Sequence, residues 1–196
     1  MSTFYIGVDP SITNPGIVVM SKELERISWF EPTKEIPKKE LKHIVLRYVR
    51  IADKLLDHLN RLIFFFKPEK FIICYENYSF ASTNKSYSLG EMGGVLKTTL
   101  LNTYVPTELY LVPPNTLKSF ATGYGGATKQ MIGTQFKIEE PTYPQVTSDD
   151  LIDAYYLYRM GLALDGGNVT SEDKLLRHRL TVVNKYKQTN KPILNY

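Results

Sequence analysis

Four carboxylates stand at positions in the chain where a buried site could use them. Asp9 ends the apolar run FYIGVD, Glu76 ends the apolar run KFIICYE, and Asp150 and Asp153 lie in the segment TSDDLIDAYYL. A charge beside a buried strand is costly unless it is paired, hydrogen-bonded or bound to a metal, so these acids require partners. Residues at i and i+3 share a helix face, so Asp150 and Asp153 can point at one spot, whereas Asp149 is rotated by about 100° and points elsewhere.

A set of carboxylates with no histidine or cysteine cluster offers only oxygen ligands. Such a set suits Mg²⁺ or Mn²⁺ rather than zinc. Two of these ions about 4 Å apart can activate water on one side of a phosphodiester and stabilise the leaving oxygen on the other. The four acids therefore predict a site with two divalent ions that hydrolyses phosphodiesters.

Each acid also has a purely structural interpretation. Asp9 precedes Pro10 and could cap a turn. Asp150 could close a capping box that Thr147 begins. Glu76 could be an exposed strand end, but the repeated pattern of an acid after an apolar strand favours the metal site.

The elements predicted around these acids form a mixed sheet covered by helices. STFYIGVD, GIVVMSK and ERISWFE read as three consecutive strands in an antiparallel meander, separated by turn signals. Apolar residues at helical spacing predict a long helix from Lys39 to Phe66, followed by the buried strand KFIICYE. A helix near Ser88 to Leu101, the strand ELYLVP, a helix near Asn115 to Ala121 and two later helices follow.

Composition limits the class of protein. The chain has 196 residues and one cysteine, Cys74, which excludes an intramolecular disulfide and a cysteine-based zinc site. There is no leader-like segment and no apolar run of bilayer length, so we expect a soluble, cytoplasmic protein without a membrane partner. The formal charge of +4 resides in residues 171–196, with six cations and two acids. We predict a nuclease domain over residues 1–165 and a basic C-terminal tail or helix over 166–196.

The motifs, taken in order, resemble the RuvC-type Holliday-junction resolvases (crossover junction endodeoxyribonucleases) of the RNase H-like superfamily. IGVDPSITNPGIVV is similar to the first motif of that family, and IICYENYSFASTNKSYSLGEMGGVL to the second. LVPPNTLKSFATGYGGATKQMI resembles the stretch that bears two basic residues, and TSDDLIDAYYL the final D-x-x-D helix. The resemblance implies an α/β, RNase H-like fold with a mixed five-stranded sheet whose first three strands are antiparallel, flanked by helices.

The resemblance also implies an activity: a homodimer that binds four-way DNA junctions and nicks two strands symmetrically by hydrolysis dependent on Mg²⁺ or Mn²⁺. The catalytic and metal-binding acids carried over are Asp9, Glu76, Asp150 and Asp153. Lys129 is carried over as a catalytic and DNA-binding residue and Lys118 as a DNA-binding residue, although both could be solvated helix surface.

The DNA-binding candidates of the second motif are Tyr78, Phe80 and Lys85. In the family an aromatic residue follows the second acid by three positions, but Ser79 holds that place here, between Tyr78 and Phe80. Either aromatic could stack on a base or pack against its own domain.

Three other functions fit parts of the pattern. A flap or branched-DNA nuclease and a ribonuclease H could use the same fold and acids. A catalytically silent DNA-binding scaffold would have no chemical need for all four acids.

Overall fold

The computed structural model describes residues 2–21, 26–77, 86–167 and 174–195. Within them, six strands form one mixed sheet in the order β3-β2-β1-β4-β5-β6. The strands are β1 (Thr3–Asp9), β2 (Gly16–Ser21), β3 (Arg26–Phe30), β4 (Lys70–Glu76), β5 (Thr107–Val112) and β6 (Ile193–Asn195). The pairs β1–β2, β2–β3 and β5–β6 are antiparallel, while β1–β4 and β4–β5 are parallel.

Helices cover both faces of this sheet. They are α1 (Ile44–Phe66), α2 (Ser86–Leu101), α3 (Pro114–Thr122), α4 (Lys129–Glu139), α5 (Asp149–Leu164) and α6 (Lys174–Thr189), with a short 3-10 helix at Pro32–Glu35. Along β1, Phe4, Ile6 and Val8 pack into the core under α1 and α2, whereas Tyr5 packs into the core under α3 to α6. Successive side chains of a strand point to opposite faces of the sheet, so β1 contributes to a hydrophobic core on each face.

The predicted α/β class and the antiparallel meander of the first three strands are confirmed. The number of strands differs, because Ile193–Asn195 adds a sixth strand along β5. Three residues are too few to show a strand period in the sequence. The long helix also begins later than predicted, at Ile44 instead of Lys39, since residues 37–43 form turns.

The C-terminal segment takes part in this fold. α6 packs against α3 and α5, and Val183 and Tyr186 are buried in the core beneath them. The division into a domain of residues 1–165 and a tail of 166–196 stays a prediction. In the part of the chain that the structure describes, no helix combines the length and apolar character needed to cross a membrane.

Candidate metal centre

Three of the four carboxylates converge at one edge of the sheet. Asp9 is the last residue of β1 and Glu76 the last residue of β4. Because β1 and β4 are parallel neighbours, their carboxyl ends lie side by side. Asp153, on the first turns of α5, completes the group, and each of the three offers an oxygen within 4.8 Å of the others.

Two glycines allow α5 to deliver its carboxylates to this edge. A Cβ atom on Gly7 would lie 1.8 Å from the backbone oxygen of Ala154, and one on Gly16 would lie 2.1 Å from that of Asp150. The backbone of α5 therefore lies directly against β1 and β2. A side chain at either glycine position would prevent this close approach. The glycine of each apolar run thus positions the acids of a helix more than 130 residues away.

The N-terminus of α5 excludes the capping-box interpretation of Asp150. The helix begins at Asp149 with Ser148 as N-cap, so Thr147 lies one residue too early to form the box. Asp150 instead lies close enough to Asp9 for its charge to raise the pKa of Asp9. Asp149 is not one of the three converging acids, and its carboxylate lies 3.6 Å from the ammonium of Lys129.

The carboxylates raise one another's proton affinity. Burial, followed by the charges of Glu76 and Asp153, raises the pKa of Asp9 well above its ordinary value. Burial also raises the pKa of Glu76 and of Asp150, and burial together with the charge of Glu76 raises the pKa of Asp153 to about 7. Concentrated negative charge of this kind is relieved either by protons or by a cation.

The donor set fits a hard divalent cation. Asp9, Glu76 and Asp153 present only carboxylate oxygens, the ligand type preferred by Mg²⁺ and Mn²⁺. Asp9 lies on the rigid end of a central strand, and its side chain is only 8% exposed. A cation bound there would offset the unfavourable proximity of the three acids.

The two predicted lysines approach the acids from α3 and α4. Lys129 is the first residue of α4, after an N-cap in which the Thr128 hydroxyl accepts a hydrogen bond from the Met131 amide. Burial lowers the pKa of Lys129, but the charges of Asp153, Asp149 and Asp150 outweigh it and raise that pKa. Lys118, on α3, lowers the pKa of Glu76 through its charge. Both lysines therefore contribute to the electrostatics of the centre.

The candidates of the second motif lie outside the described residues. Tyr78, Phe80 and Lys85 fall between Asn77 and α2, and their DNA-binding role stays a prediction.

Glu31 is a further acid near the centre that the sequence analysis did not select. It follows β3 directly and is buried. Its carboxylate accepts a hydrogen bond from the Asn14 side chain and pairs with Lys34, while the Thr33 hydroxyl donates to Asn14. Burial raises the pKa of Glu31, but the hydrogen bonds from Lys34 and Asn14 lower it by a larger amount. The pKa of Glu31 is therefore below its ordinary value.

The network around Glu31 connects the β1–β2 turn to the start of α5. Ser148, the N-cap of α5, also hydrogen-bonds to Glu31, and the charge of Glu31 raises the pKa of Asp150. Glu31 shares a sequence pattern with Asp9 and Glu76, because each is an acid at or directly after the end of an apolar strand.

Relatives of known activity share this sequence pattern and this fold. No protein-family model matches the chain. The crossover junction endodeoxyribonuclease RuvC of Rickettsia bellii, in two strains, is 29% identical over 153 residues, which cover 76% of this chain and 90% of the relative. The Thermus thermophilus RuvC structure superposes with a TM-score of 0.55 at 21% identity, covering 98% of this chain and 100% of that one.

A second structure, T. thermophilus RuvC in complex with Holliday junction substrate, gives a TM-score of 0.56 at 20% identity and covers 97% of this chain and 99% of that one. The resemblance to the RuvC-type resolvases is thus confirmed, in sequence over about three quarters of the chain and in an RNase H-like α/β fold over nearly all of it.

Proposed function

We propose that this protein is an endodeoxyribonuclease that resolves four-way DNA junctions by hydrolysis dependent on divalent cations. The observation that carries the proposal is the convergence of Asp9, Glu76 and Asp153, from two parallel strands and one helix, within 4.8 Å. The sequence similarity to RuvC of R. bellii supports DNA junctions as the substrate.

Each residue of the centre has a distinct task in this proposal. Asp9, Glu76 and Asp153 would hold the divalent ions, and Asp150, whose charge acts on Asp9, would add a fourth negative charge to the site. When bound, Mg²⁺ or Mn²⁺ ions activate water and stabilise the charge of the leaving oxygen, and two ions are the number expected for phosphodiester hydrolysis. Lys129, a cation beside the acids, contacts the scissile phosphate and stabilises the charge that develops there. Lys118 binds the adjoining DNA backbone.

Symmetric nicking of two strands requires two active sites, and a homodimer supplies them. Two neighbouring helices on one face of the sheet offer a surface for a second copy. Gly90 and Gly94 are exposed on α2, where a Cβ atom would meet nothing within 4 Å, so another backbone can approach closely. On α1, Val45 and Val49 are exposed apolar side chains. We expect sedimentation analysis to give a dimer, and Gly94→Arg to give a monomer that nicks one strand at a time.

A cleavage assay tests the activity. Labelled four-way, flap and linear DNA and an RNA/DNA hybrid are incubated with Mg²⁺, with Mn²⁺ or with a chelator. The wild-type protein is expected to make paired nicks in the four-way junction only with a cation, and Asp9→Asn is expected to make none. Glu69→Gln, which removes an exposed carboxylate just before β4, at the end of that strand opposite Glu76, is the control and is expected to cleave normally.

Two outcomes would contradict the proposal in different ways. Cleavage by Asp9→Asn, or cleavage in the chelator, would exclude the metal centre. Cleavage confined to the flap or to the RNA/DNA hybrid would exclude junction resolution and leave hydrolysis at this centre intact.

A further inference from the structure

A cleft of about 520 Å³ separates α3 from α6, outside the carboxylate centre. Its polar lining comes from Asn115 and Ser119 of α3, from Lys185 and Thr189 of α6 and from Asn190, which follows α6, while Val182 and Tyr186 add apolar surface. Amide, hydroxyl and ammonium groups of this kind bind the phosphates and sugars of a nucleic-acid backbone.

The walls of the cleft are fixed by buried contacts. Arg179 of α6 donates from its Nε to the carbonyl of Phe120 at 2.8 Å and from its Nη2 to the carbonyl of Ala121 at 2.8 Å. Two turns further along α6, the hydroxyl of the buried Tyr186 donates to the carbonyl of Leu111 at 2.7 Å. Lys185 adjoins Tyr186, so its backbone is held in place while its side chain is exposed in the cleft.

The charge of the C-terminal segment favours a polyanionic partner. Residues 174–195 contain six lysines and arginines and no acidic residue. Of these cations, Arg179 is neutralised by Glu139 of α4, with an Nη2–Oε1 distance of 2.6 Å. The excess positive charge on α6 provides the electrostatic attraction that DNA-binding surfaces use.

The cleft adjoins the helices that carry the two lysines of the centre. Asn115 and Ser119 flank Lys118 on α3, and the charge of Lys118 acts on Glu76. Gly125, in the loop that leads to Lys129, also lines the cleft, where a Cβ atom would lie 3.2 Å from the Asn115 carbonyl oxygen. Tyr186, which lines the cleft, contacts the Leu111 carbonyl near the carboxyl end of β5, and β5 is the parallel neighbour of the strand that ends at Glu76, so the cleft and the carboxylates lie at the same edge of the sheet.

We propose that the α3–α6 cleft is a second DNA contact, in which Lys185 binds a backbone phosphate a few nucleotides from the scissile bond. The Asn115 amide hydrogen-bonds to the same stretch of backbone, whereas the Thr189 hydroxyl and the Asn190 amide donate within the chain, to the Tyr186 carbonyl. The inference rests on the proposed function, because it assigns part of the same DNA substrate to α6. Contacts to phosphate and sugar position the strand without reading its sequence.

Binding measurements on matched lysine variants test the contact. The variants are made in an Asp153→Asn background, in which the DNA remains uncut. Binding to a labelled four-way junction is followed by fluorescence anisotropy at salt concentrations from about 50 to about 200 mM, so that the dependence of affinity on salt can be measured. Adding Lys185→Ala is expected to weaken binding about tenfold at 0.1 M salt and to reduce the slope of log K against log[salt] by about 0.9. Lys187→Ala removes the same charge from the same helix, about 200° away around its axis, and is expected to change neither value.

A cross-linking experiment locates the contact on the DNA. Cys74 is fully buried and burial raises the pKa of its thiol, so Lys185→Cys introduces a thiol that reacts selectively with a photoactivatable reagent. We expect cross-links to one strand a few nucleotides from the nick site, and none at that position from Lys187→Cys.

The outcomes separate the two proposals. If the Asp153→Asn protein binds four-way and linear DNA equally well, the junction-resolving function fails. If it prefers the junction but Lys185→Ala and Lys187→Ala have equal effects, or the cross-links are scattered, the function stands and the cleft contact is overturned.

Discussion

At the scale of single residues, the carboxylates of the centre lower the stability of the metal-free protein, and a bound cation would offset that cost. Asp153 illustrates this, because burial and the charge of Glu76 raise its pKa to about 7. The folded chain therefore binds a proton that the unfolded chain, with an ordinary aspartate, has lost at neutral pH. The acids oppose folding until a proton or a metal neutralises them.

A pH series of unfolding transitions tests that view. Since the folded-state pKa of Asp153 is raised, its contribution to stability is fully present below about pH 4 and is lost as the pH rises through about 7. Over that interval we expect the unfolding free energy of the metal-free protein to fall by up to a few kcal/mol. In Asp153→Asn the decrease should be smaller, and Mn²⁺ should raise the Tm of the wild type far more than that of the variant. Equal metal responses in both proteins would remove Asp153 from the ligand set.

Lys129 is a cation whose pKa the neighbouring acids raise, and the proposed function gives it contact with the scissile phosphate. Removing one group that stabilises developing charge in a transition state lowers the rate about 10²–10³-fold. We expect Lys129→Ala to lower the single-turnover rate of junction cleavage by that factor. Lys137→Ala, an exposed lysine in the last turn of the same helix, is the control and should cleave at the wild-type rate. If the two variants cleave equally fast, Lys129 is solvated helix surface.

Glu31 positions the edge of the centre without belonging to the converging acids. Its carboxylate connects Asn14, Lys34 and Ser148, so Glu31→Ala removes a shared acceptor from donors that solvent can reach, at a cost of about 0.5–1.5 kcal/mol. We expect it to raise the Mn²⁺ concentration needed for half-maximal cleavage, with partial rescue in Glu31→Gln, which keeps an acceptor for Asn14. Destabilisation with an unchanged metal requirement would limit Glu31 to a structural role.

At the scale of elements, the distance between α5 and the sheet fixes the geometry of the acids. Gly16→Ala would place a methyl group against the backbone of Asp150 and force α5 away from β2. Overpacking of this kind costs about 1–3 kcal/mol, and we expect a lower Tm together with strongly reduced cleavage. Gly133→Ala is the matched control: it lies inside α4 with nothing within 4 Å of its Cβ position, and should stabilise the helix by about 0.5–1 kcal/mol. Normal cleavage by Gly16→Ala would contradict this account of α5.

The elements also show which features a single sequence can predict. Asp9 and Glu76 were recognisable because parallel strands end together, and Asp153 because it shares a helix face with Asp150. The requirement for glycine at positions 7 and 16 was not recognisable, since it arises from a helix more than 130 residues away. The same holds for β6, whose three residues are ordered by β5 and not by their own pattern.

At the scale of the whole molecule, the basic C-terminal segment is a structural part of the fold. Arg179 is 5% exposed, and its guanidinium binds the last carbonyls of α3 and the Glu139 carboxylate of α4. Glu139 also accepts a hydrogen bond from Arg159 of α5 at 3.3 Å. One buried arginine therefore holds together the helices that carry Lys118, Lys129 and the acids of α5.

Replacing Arg179 tests whether the packing of α6 contributes to the stability of the domain that carries the centre. Arg179→Ala would leave Glu139 and two helix carbonyls without their strongest donor, and breaking a buried ion pair costs about 3–5 kcal/mol. We expect a loss of that size in denaturant unfolding. Arg179→Lys should recover only part of it, because an ammonium lacks the planar fork of the guanidinium. Arg177→Ala, an exposed cation two residues earlier, should change stability by less than about 0.5 kcal/mol. If both alanine variants were equally stable, α6 would be an independent appendage, and the cleft that it forms with α3 would lack a fixed wall.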